Sequence, residues 1–221
     1  MLEQLYILPI LLFSVVIHEI AHGWMALRLG DPTAKQMGRL TLNPIPHIDP
    51  IGSIVVPLFS LIVAGRVFIA WAKPVPINPM NFSNYRRDDI LVSVVGPISN
   101  IFMAFCCTVV VIVLKYIAPL LEGTNEFVIE MFDLLIKMFI GGITLNVVLA
   151  VFNLIPIPPL DGSHVLASLL PEEISERYRS IGFLGIFIII YLMRWEPFAM
   201  VFHTVINLFL VPFKVILNIF L

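Results

Sequence analysis

The sequence predicts an all-α polytopic membrane protein, and its composition is the main reason. Apolar residues make up 59% of the 221-residue chain and charged residues 13%, whereas soluble domains average about 45–50% and about 25%. A soluble core of this size cannot bury so much apolar surface. The chain also contains several apolar runs of the roughly 20 residues that cross a bilayer. The net charge of −2 leaves no basic surplus, so we expect no nucleic-acid partner.

Five apolar regions set the expected architecture. We expect membrane-spanning helices at 4–29, 50–70, 89–117 and 131–155. Charged residues and a proline interrupt the last region, 181–221, which therefore predicts either two spans or one span and an interfacial helix. The total is about five to six transmembrane helices. Between the first two helices, residues 36–42 predict a short strand-like loop element.

Local signals mark several helix ends. Gly30 predicts the end of the first helix. Asp49, followed by a proline, predicts the N-terminal cap of the second helix. Asp88 or Asp89 predicts the cap of the third. Basic residues occur in the loops on both sides of the expected second span, so the positive-inside rule leaves the membrane orientation open.

Three ionisable side chains lie together within the first apolar run and form an H-E-x-x-H motif, His18, Glu19 and His22. Residues four apart share one helix face, so both imidazoles can reach one tetrahedral zinc ion. Glu19 is offset from that line and can act as general base toward water. The alternative is a pair of hydrogen-bonded structural histidines. Burying two imidazoles and a carboxylate at membrane depth without a metal costs free energy that is hard to offset. The pattern therefore favours a metal site.

A catalytic zinc site usually has three protein ligands, and Asp161 is the best candidate for the third. It follows three closely spaced prolines, which break the helix, and Gly162 lets the chain turn beside the carboxylate. Non-helical backbone at membrane depth is tolerated where it is buried or lines a cavity. The alternative role for Asp161 is a cap for the helix that follows.

Two asparagines, Asn146 and Asn153, share a face of the fourth helix. Polar residues of this kind hydrogen-bond between helices in lipid, and helix packing explains Asn146 well. Asn153 lies closer to Asp161 and can donate to the carbonyl oxygen of a bound peptide, which is an oxyanion-type role.

Three other histidines carry weaker signals. His47 is expected to be a loop residue or to support the site, with metal ligation as the alternative. His164 lies three residues after Asp161 and is expected either on a solvated helix face or near the metal. His203 stands in the last apolar region and is expected to be a packed histidine.

Taken together, these elements resemble the site-2 protease family of intramembrane zinc metalloproteases. Segments 30–34, 38–44 and 71–76 resemble its compact, single-domain prokaryotic branch, and no PDZ-like domain fits between the spans. The motifs that carry the resemblance are 18–22, 96–100 and 153–162.

The resemblance implies an intramembrane zinc metalloprotease with one zinc ion per chain. His18, His22 and Asp161 are the implied ligands, Glu19 is the implied general base, and Asn153 is placed near the oxyanion. The implied substrate is a membrane-spanning or membrane-associated protein or peptide. The expected location is the lipid bilayer of a prokaryotic cell membrane, crossed several times.

The resemblance also suggests a division of the chain. Residues 1–170 are expected to form the protease around a three-helix catalytic core, and 171–221 to form C-terminal membrane helices without an assigned role. The region 31–48 resembles an element that holds substrate extended, which suits strand addition. The expected substrate-binding residues are Gly38, Arg39, Leu40 and Asn146.

A metal or ion transporter, or another non-proteolytic metal-binding membrane protein, is the alternative function. Intramembrane histidine, glutamate and aspartate side chains also mark ion pathways. The glutamate adjacent to the first histidine and the single compact site favour the protease. The oligomeric state does not follow from the sequence.

Overall fold

The structure is a computed structural model that describes residues 6–55, 72–121, 123 and 125–220. Within these residues, seven α-helices of eight residues or more follow one another, and no β-strand forms. The all-α prediction is therefore confirmed. The helices are α1 (Leu8–Arg28), α2 (Tyr85–Ile117), α3 (Glu126–Asn153), α4 (Asp161–Leu169), α5 (Glu172–Arg179), α6 (Gly185–Arg194) and α7 (Glu196–Phe220). Shorter helical turns are Thr33–Gln36, Ile45–His47, Pro50–Val55, Pro79–Asn81, Ala118–Leu121 and Gly182–Leu184.

Among the described residues, four helices, α1, α2, α3 and α7, are long and apolar enough to cross a membrane. Only 17–39% of the residues in their most apolar segments are buried within the protein. Many large apolar side chains on these helices are exposed on the protein surface. Contact with apolar lipid tails there carries no hydrophobic penalty. The chain is an integral membrane protein, as its composition predicts.

The predicted spans agree with these helices where they can be compared. The spans expected at 4–29, 89–117 and 131–155 correspond to α1, α2 and α3. The helix expected at 50–70 begins with the π-helical turn Pro50–Val55, and the rest of it lies outside the described residues. The last apolar region contains one helix of spanning length, α7, preceded by the ten-residue α6.

The predicted helix ends are confirmed at two positions and wrong at a third. Gly30 has a φ of 103° just after α1, and Asp49 Oδ1 accepts two backbone N–H groups at 2.8 and 2.9 Å. The cap of α2 is neither Asp88 nor Asp89 but Asn84, whose Oδ1 accepts a backbone N–H at 3.3 Å. Asp88 instead accepts the N–H of Asn84 at 2.9 Å. The first bond comes from the Arg87 N–H, so the two bonds together resemble a capping box and start the helix four residues before the predicted position.

Residues 36–42 form a turn, so the predicted strand-like element is wrong for them. The helical turn Thr33–Gln36 is followed by Gly38, whose φ of 65° is the left-handed conformation that ends helices. The Arg39 N–H then donates to the Ala34 carbonyl at 2.9 Å. Such a capped turn does not present an extended backbone edge.

Asp31 ties the end of α1 to the segment that leads into α2. Its side chain is fully buried. Oδ1 accepts from the Thr33 N–H at 3.1 Å and from Asn81 Nδ2 at 2.7 Å, and Oδ2 accepts from the Asn78 N–H at 2.7 Å. Burial alone would raise the pKa of Asp31, but these hydrogen bonds, with one from the Thr33 hydroxyl, outweigh it and hold the pKa below its ordinary value.

Helix α2 packs against both α1 and α3, and this three-helix arrangement carries the apolar core. Small side chains allow the close approach: a Cβ at Gly142 would lie 3.0 Å from Ile10 and 3.1 Å from Cys107. Helices that associate in lipid use small residues in this way. Ile206 and Leu210 of α7 complete the same apolar cluster.

Candidate metal centre and active site

Two histidines on α1 and an aspartate at the start of α4 converge inside the bundle. His18 Nε2 and His22 Nε2 lie 3.0 Å apart. Asp161 Oδ2 lies 3.2 Å from His18 Nε2, and Asp161 Oδ1 lies 3.4 Å from His22 Nε2. In the described part of the chain, these three residues are the one group of metal-ligating side chains that meets this closely. The structure thus brings together the three residues that the sequence predicts as ligands.

The two Nε2 atoms and the Asp161 carboxylate are spaced close to what a zinc site requires. Zinc bound at about 2.0–2.2 Å by a tetrahedral set of N and O atoms separates those atoms by about 3.3–3.6 Å. The observed separations are 3.0 Å between the two Nε2 atoms and 3.2 and 3.4 Å from each histidine to its nearer carboxylate oxygen. All three come within about 0.3 Å of that edge length.

The chemistry of the donor set also fits a cation. His22 Nδ1 lies 2.7 Å from the Val92 carbonyl oxygen, which only accepts, so Nδ1 carries the proton and Nε2 presents a lone pair. His18 Nδ1 donates in the same way to Asn100 Oδ1 at 2.6 Å. Asp161 Oδ2 is buried and has no hydrogen-bond partner in the part of the chain that the structure describes. Three lone-pair atoms therefore face one another, an arrangement that a shared cation stabilises.

A break between α3 and α4 places Asp161 at the metal centre. Helix α3 ends at Asn153, and the proline-containing residues 154–160 turn back before α4 begins at Asp161 itself. Gly162 sits against the preceding turn, since a Cβ there would lie 2.5 Å from the Leu154 carbonyl carbon and 2.7 Å from the Ile155 oxygen. Asp161 is the first residue of α4, so the predicted alternative of a capping residue does not describe it.

Glu19 is held at the edge of the cluster rather than within it. Its Oε2 accepts the Val75 N–H at 2.8 Å. Arg39 fixes this segment, because its Nη2 donates to the carbonyls of Lys73 at 2.7 Å and Pro74 at 3.2 Å. Glu19 is half-buried. An oriented carboxylate beside a metal centre is suited to accepting a proton from water.

The two asparagines predicted on α3 occupy different surroundings. Asn146 is fully buried, and its amide bonds the Gly142 carbonyl oxygen at 2.9 Å and Asn100 at 3.1 Å. Asn153 is half-buried, and its Nδ2 donates to the Leu149 carbonyl at 3.0 Å. Asn146 thus lies inside the helix interface.

The loop residues predicted to bind substrate differ in exposure. Gly38 is exposed, and no atom of the described residues lies within 4 Å of the position of a Cβ. Arg39 is buried and holds the segment at 73–74, as described above. Leu40 packs beside Gly23 of α1, where a Cβ would lie 2.7 Å from Leu40 Cδ2.

The remaining histidines lie outside the cluster. His47 is buried, and its Nε2 donates to the Thr41 carbonyl at 3.1 Å, as expected of a loop residue. His164 is exposed, in agreement with the solvated helix face. His203 is also exposed, so its expected burial is wrong. Helix α7 turns this position away from the core.

A second polar cluster links α2, α4 and α5. Asp89 is buried, and its Oδ2 accepts from Ser168 Oγ and from Arg179 Nη2, both at 2.8 Å. His164 Nδ1 lies 3.6 Å from Asp89 Oδ1. Asp89 and Arg179 are 90 residues apart, so no sequence signal connected them. The cluster fixes the far end of the helix that begins with Asp161.

The chain is similar to known metalloproteases over most of its length. The family model described as "Peptidase family M50" matches residues 6–193. The Bacillus subtilis (strain 168) protein "Putative zinc metalloprotease YwhC" is 37% identical over 194 residues, covering 83% of this chain and 80% of that protein.

Mycobacterial proteins that share the name Rip2 are more distant. The Mycolicibacterium smegmatis protein is 31% identical over 166 residues, covering 73% of this chain and 56% of the relative. The Mycobacterium tuberculosis (strain H37Rv) protein is 28% identical over 186 residues, covering 82% and 62%. The chain thus spans less than two thirds of these mycobacterial relatives. No solved structure matches the chain significantly.

Proposed function

Because the chain belongs to peptidase family M50 and is a zinc metalloprotease, we propose that it hydrolyses peptide bonds of membrane-spanning or membrane-associated proteins. The position of the site supports this substrate class, since His18, Glu19 and His22 lie on the spanning helix α1. The bacterial origin of the relatives supports a prokaryotic cell membrane as its location.

The convergence of His18 Nε2, His22 Nε2 and the Asp161 carboxylate, all within 3.4 Å of one another in pairs, carries the proposal. These three residues would hold one zinc ion per chain. Bound there, zinc supplies Lewis-acid activation of the scissile carbonyl and of water. Residues 1–170 contain every residue of this site, and 171–221 supply helices that close the apolar core.

Glu19 acts as general base and then as general acid. The Val75 N–H holds one of its oxygens, Oε2, at 2.8 Å, which orients the carboxylate. As the attacking water bonds to the carbonyl carbon, Glu19 takes its proton. Glu19 then gives that proton to the amine nitrogen while the carbon–nitrogen bond breaks.

The substrate must be extended at the bond that is cut, because a helix hides its peptide groups in internal hydrogen bonds. We assign contact with the extended substrate to the loop at Gly38 and Leu40, with Arg39 holding that loop against residues 73–74. Asn153 would donate to the developing oxyanion after its Nδ2 leaves the Leu149 carbonyl, and Asn146 supports the site from within the bundle.

The decisive test is Glu19→Gln in purified, lipid-reconstituted protein. We expect wild type and variant to bind zinc equally. The cleavage rate of the variant should be lower by about 10²–10⁴-fold, which is what general-base catalysis typically contributes. Asp161→Asn is the matched control, because it should lose zinc as well as cleavage. Zinc content and cleavage of a single-span membrane peptide are the two measurements.

Two results would contradict the proposal. Full activity in Glu19→Gln would remove Glu19 as the base. Equal cleavage of the membrane peptide and of a soluble peptide with the same scissile sequence would remove the membrane substrate class while leaving the zinc site intact.

A further inference from the structure

A line of three buried hydrogen bonds connects the backbone of α3 with His18 on α1. Asn146 Nδ2 donates to the Gly142 carbonyl oxygen at 2.9 Å. Asn100 Nδ2 donates to Asn146 Oδ1 at 3.1 Å, and His18 Nδ1 donates to Asn100 Oδ1 at 2.6 Å. Both asparagines are completely buried, so water does not compete for these groups.

We propose that Asn100 and Asn146 are positioning residues that fix the tautomer of His18, with the Gly142 carbonyl setting the direction of the whole line. The proposal rests on the zinc site proposed above. A carbonyl oxygen only accepts, so Asn146 must turn its NH₂ group toward Gly142 and its oxygen toward Asn100. Asn100 must then turn its own NH₂ group toward Asn146 and its oxygen toward His18.

The direction matters because it decides which imidazole nitrogen is free. With Asn100 Oδ1 as acceptor, His18 carries its proton on Nδ1 and presents a lone pair on Nε2, the atom that faces His22 and Asp161. If Asn100 were turned around, its NH₂ group would favour the proton on Nε2, and that nitrogen could not bind a metal. The reversed line would also bring Asn146 Oδ1 against the Gly142 oxygen.

The two histidines therefore reach the same tautomer by different means. His22 Nδ1 donates directly to the Val92 backbone carbonyl at 2.7 Å, and a carbonyl oxygen can only accept. His18 meets a side-chain amide, which can be turned in either direction, and so needs a second amide to fix it. Helix packing alone does not require this arrangement, since apolar side chains fill such an interface equally well.

The test compares Asn146→Leu in three backgrounds: Asn100 as found, Asn100→Asp and Asn100→Leu. A carboxylate accepts at either oxygen and has no NH₂ group, so Asp at position 100 selects the same His18 tautomer without help from Asn146. Zinc affinity is measured on detergent-solubilised protein by competition with a chromophoric chelator. Thr108→Val is the matched control, because Thr108 is buried on α2 and its hydroxyl donates to the Ala104 carbonyl of its own helix.

We expect Asn100→Leu to weaken zinc binding about 10–100-fold, as loss of a partner to a ligating histidine does. Asn146→Leu should weaken binding roughly tenfold when Asn100 is present, and should not weaken it in either the Asn100→Asp or the Asn100→Leu background. Thr108→Val should leave zinc affinity unchanged. An equal loss from Asn146→Leu in all three backgrounds would overturn the inference and assign Asn146 to packing.

A spectroscopic measurement gives a second, independent result. In metal-free protein labelled with ¹⁵N-histidine, at a pH where the imidazoles are uncharged, His18 should show protonated Nδ1 and unprotonated Nε2. Asn146→Leu should give a mixture of tautomers for His18 and none for His22. A single, unchanged His18 tautomer in that variant would overturn the inference even if some of the other variants fail to fold. A wild type that binds no zinc would instead overturn the proposed function.

Discussion

Gly96 faces the metal centre from α2, and its replacement by alanine should displace the zinc ligands. A Cβ at this position would lie 2.7 Å from His18 Cε1 and 2.5 Å from His22 Cε1, with His22 Nε2 closer still. Carbon atoms in contact prefer about 3.5–4.0 Å. Either α2 must retreat by roughly 1 Å or both imidazoles must rotate away. Zinc sites tolerate about 0.2 Å in their ligand distances.

The effect on zinc should exceed the effect on the fold. Alanine favours a helix over glycine by about 1 kcal/mol, while overpacking costs about 1–3 kcal/mol, so the metal-free protein should lose at most about 2 kcal/mol. We expect zinc affinity to fall about 100-fold, the upper end of what perturbing the surroundings of the ligands costs. At free zinc about 1,000 times the wild-type Kd, the stabilisation by zinc would drop from about 4.1 to about 1.4 kcal/mol.

Thermal unfolding with and without zinc, together with chelator competition, measures both quantities. Gly141→Ala on α3 is the matched control, because its Cβ would meet the flexible end of Ile7 at 2.7 Å, away from the metal centre. The control should keep wild-type zinc affinity. If Gly96→Ala also keeps it, the close approach of α2 does not define the site and the reasoning fails.

Two further predictions concern the polar ties outside the metal centre. The lowered pKa of Asp31 means that its contribution to stability is complete above the unfolded-chain pKa of about 3.9 and is lost as pH falls through the lower folded-state value. In metal-free protein, the stability advantage of wild type over Asp31→Asn should therefore shrink in that acidic range, and a constant advantage would contradict the assignment. Arg179→Leu should lower stability by about 1 kcal/mol, because its partner Asp89 is buried while Arg179 itself is 30% exposed at its side chain. The exposed Arg177 on the same helix is the control, and an equal loss from Arg177→Leu would contradict the prediction.

The parts of the site that the sequence predicted are those set by local geometry. His18 and His22 are four residues apart on one helix, and helix geometry alone makes them neighbours. Asp161 stood out because prolines break the helix before it and a glycine follows it. The strand-like element at 36–42 was wrong because the left-handed Gly38 closes a turn, a choice that depends on one φ angle rather than on a pattern.

The residues that the sequence could not assign act over long separations. His18 and Asn100 are 82 residues apart, and Asn100 and Asn146 are 46 apart. Their contact depends on the rotation of three helices about their axes, which apolar patterning in lipid specifies weakly because nearly every face is apolar. Asn100 belongs to the motif at 96–100, but its partners His18 and Asn146 lie on two other helices, which the motif does not specify.

The spacing of Val92, Gly96 and Asn100 explains why α2 can serve two histidines at once. These residues are four apart and lie along one stripe of the helix. The Val92 carbonyl anchors His22, and Asn100 anchors His18. The later histidine of α1 thus meets the earlier residue of α2, so the two helices run antiparallel at the site. Gly96 lies between the two anchors, where its missing side chain leaves room for both rings. In this chain the motif on α1 is therefore matched by an anchor–glycine–anchor stripe on α2. Shifting either helix by one residue would separate the two histidines from their hydrogen-bond partners.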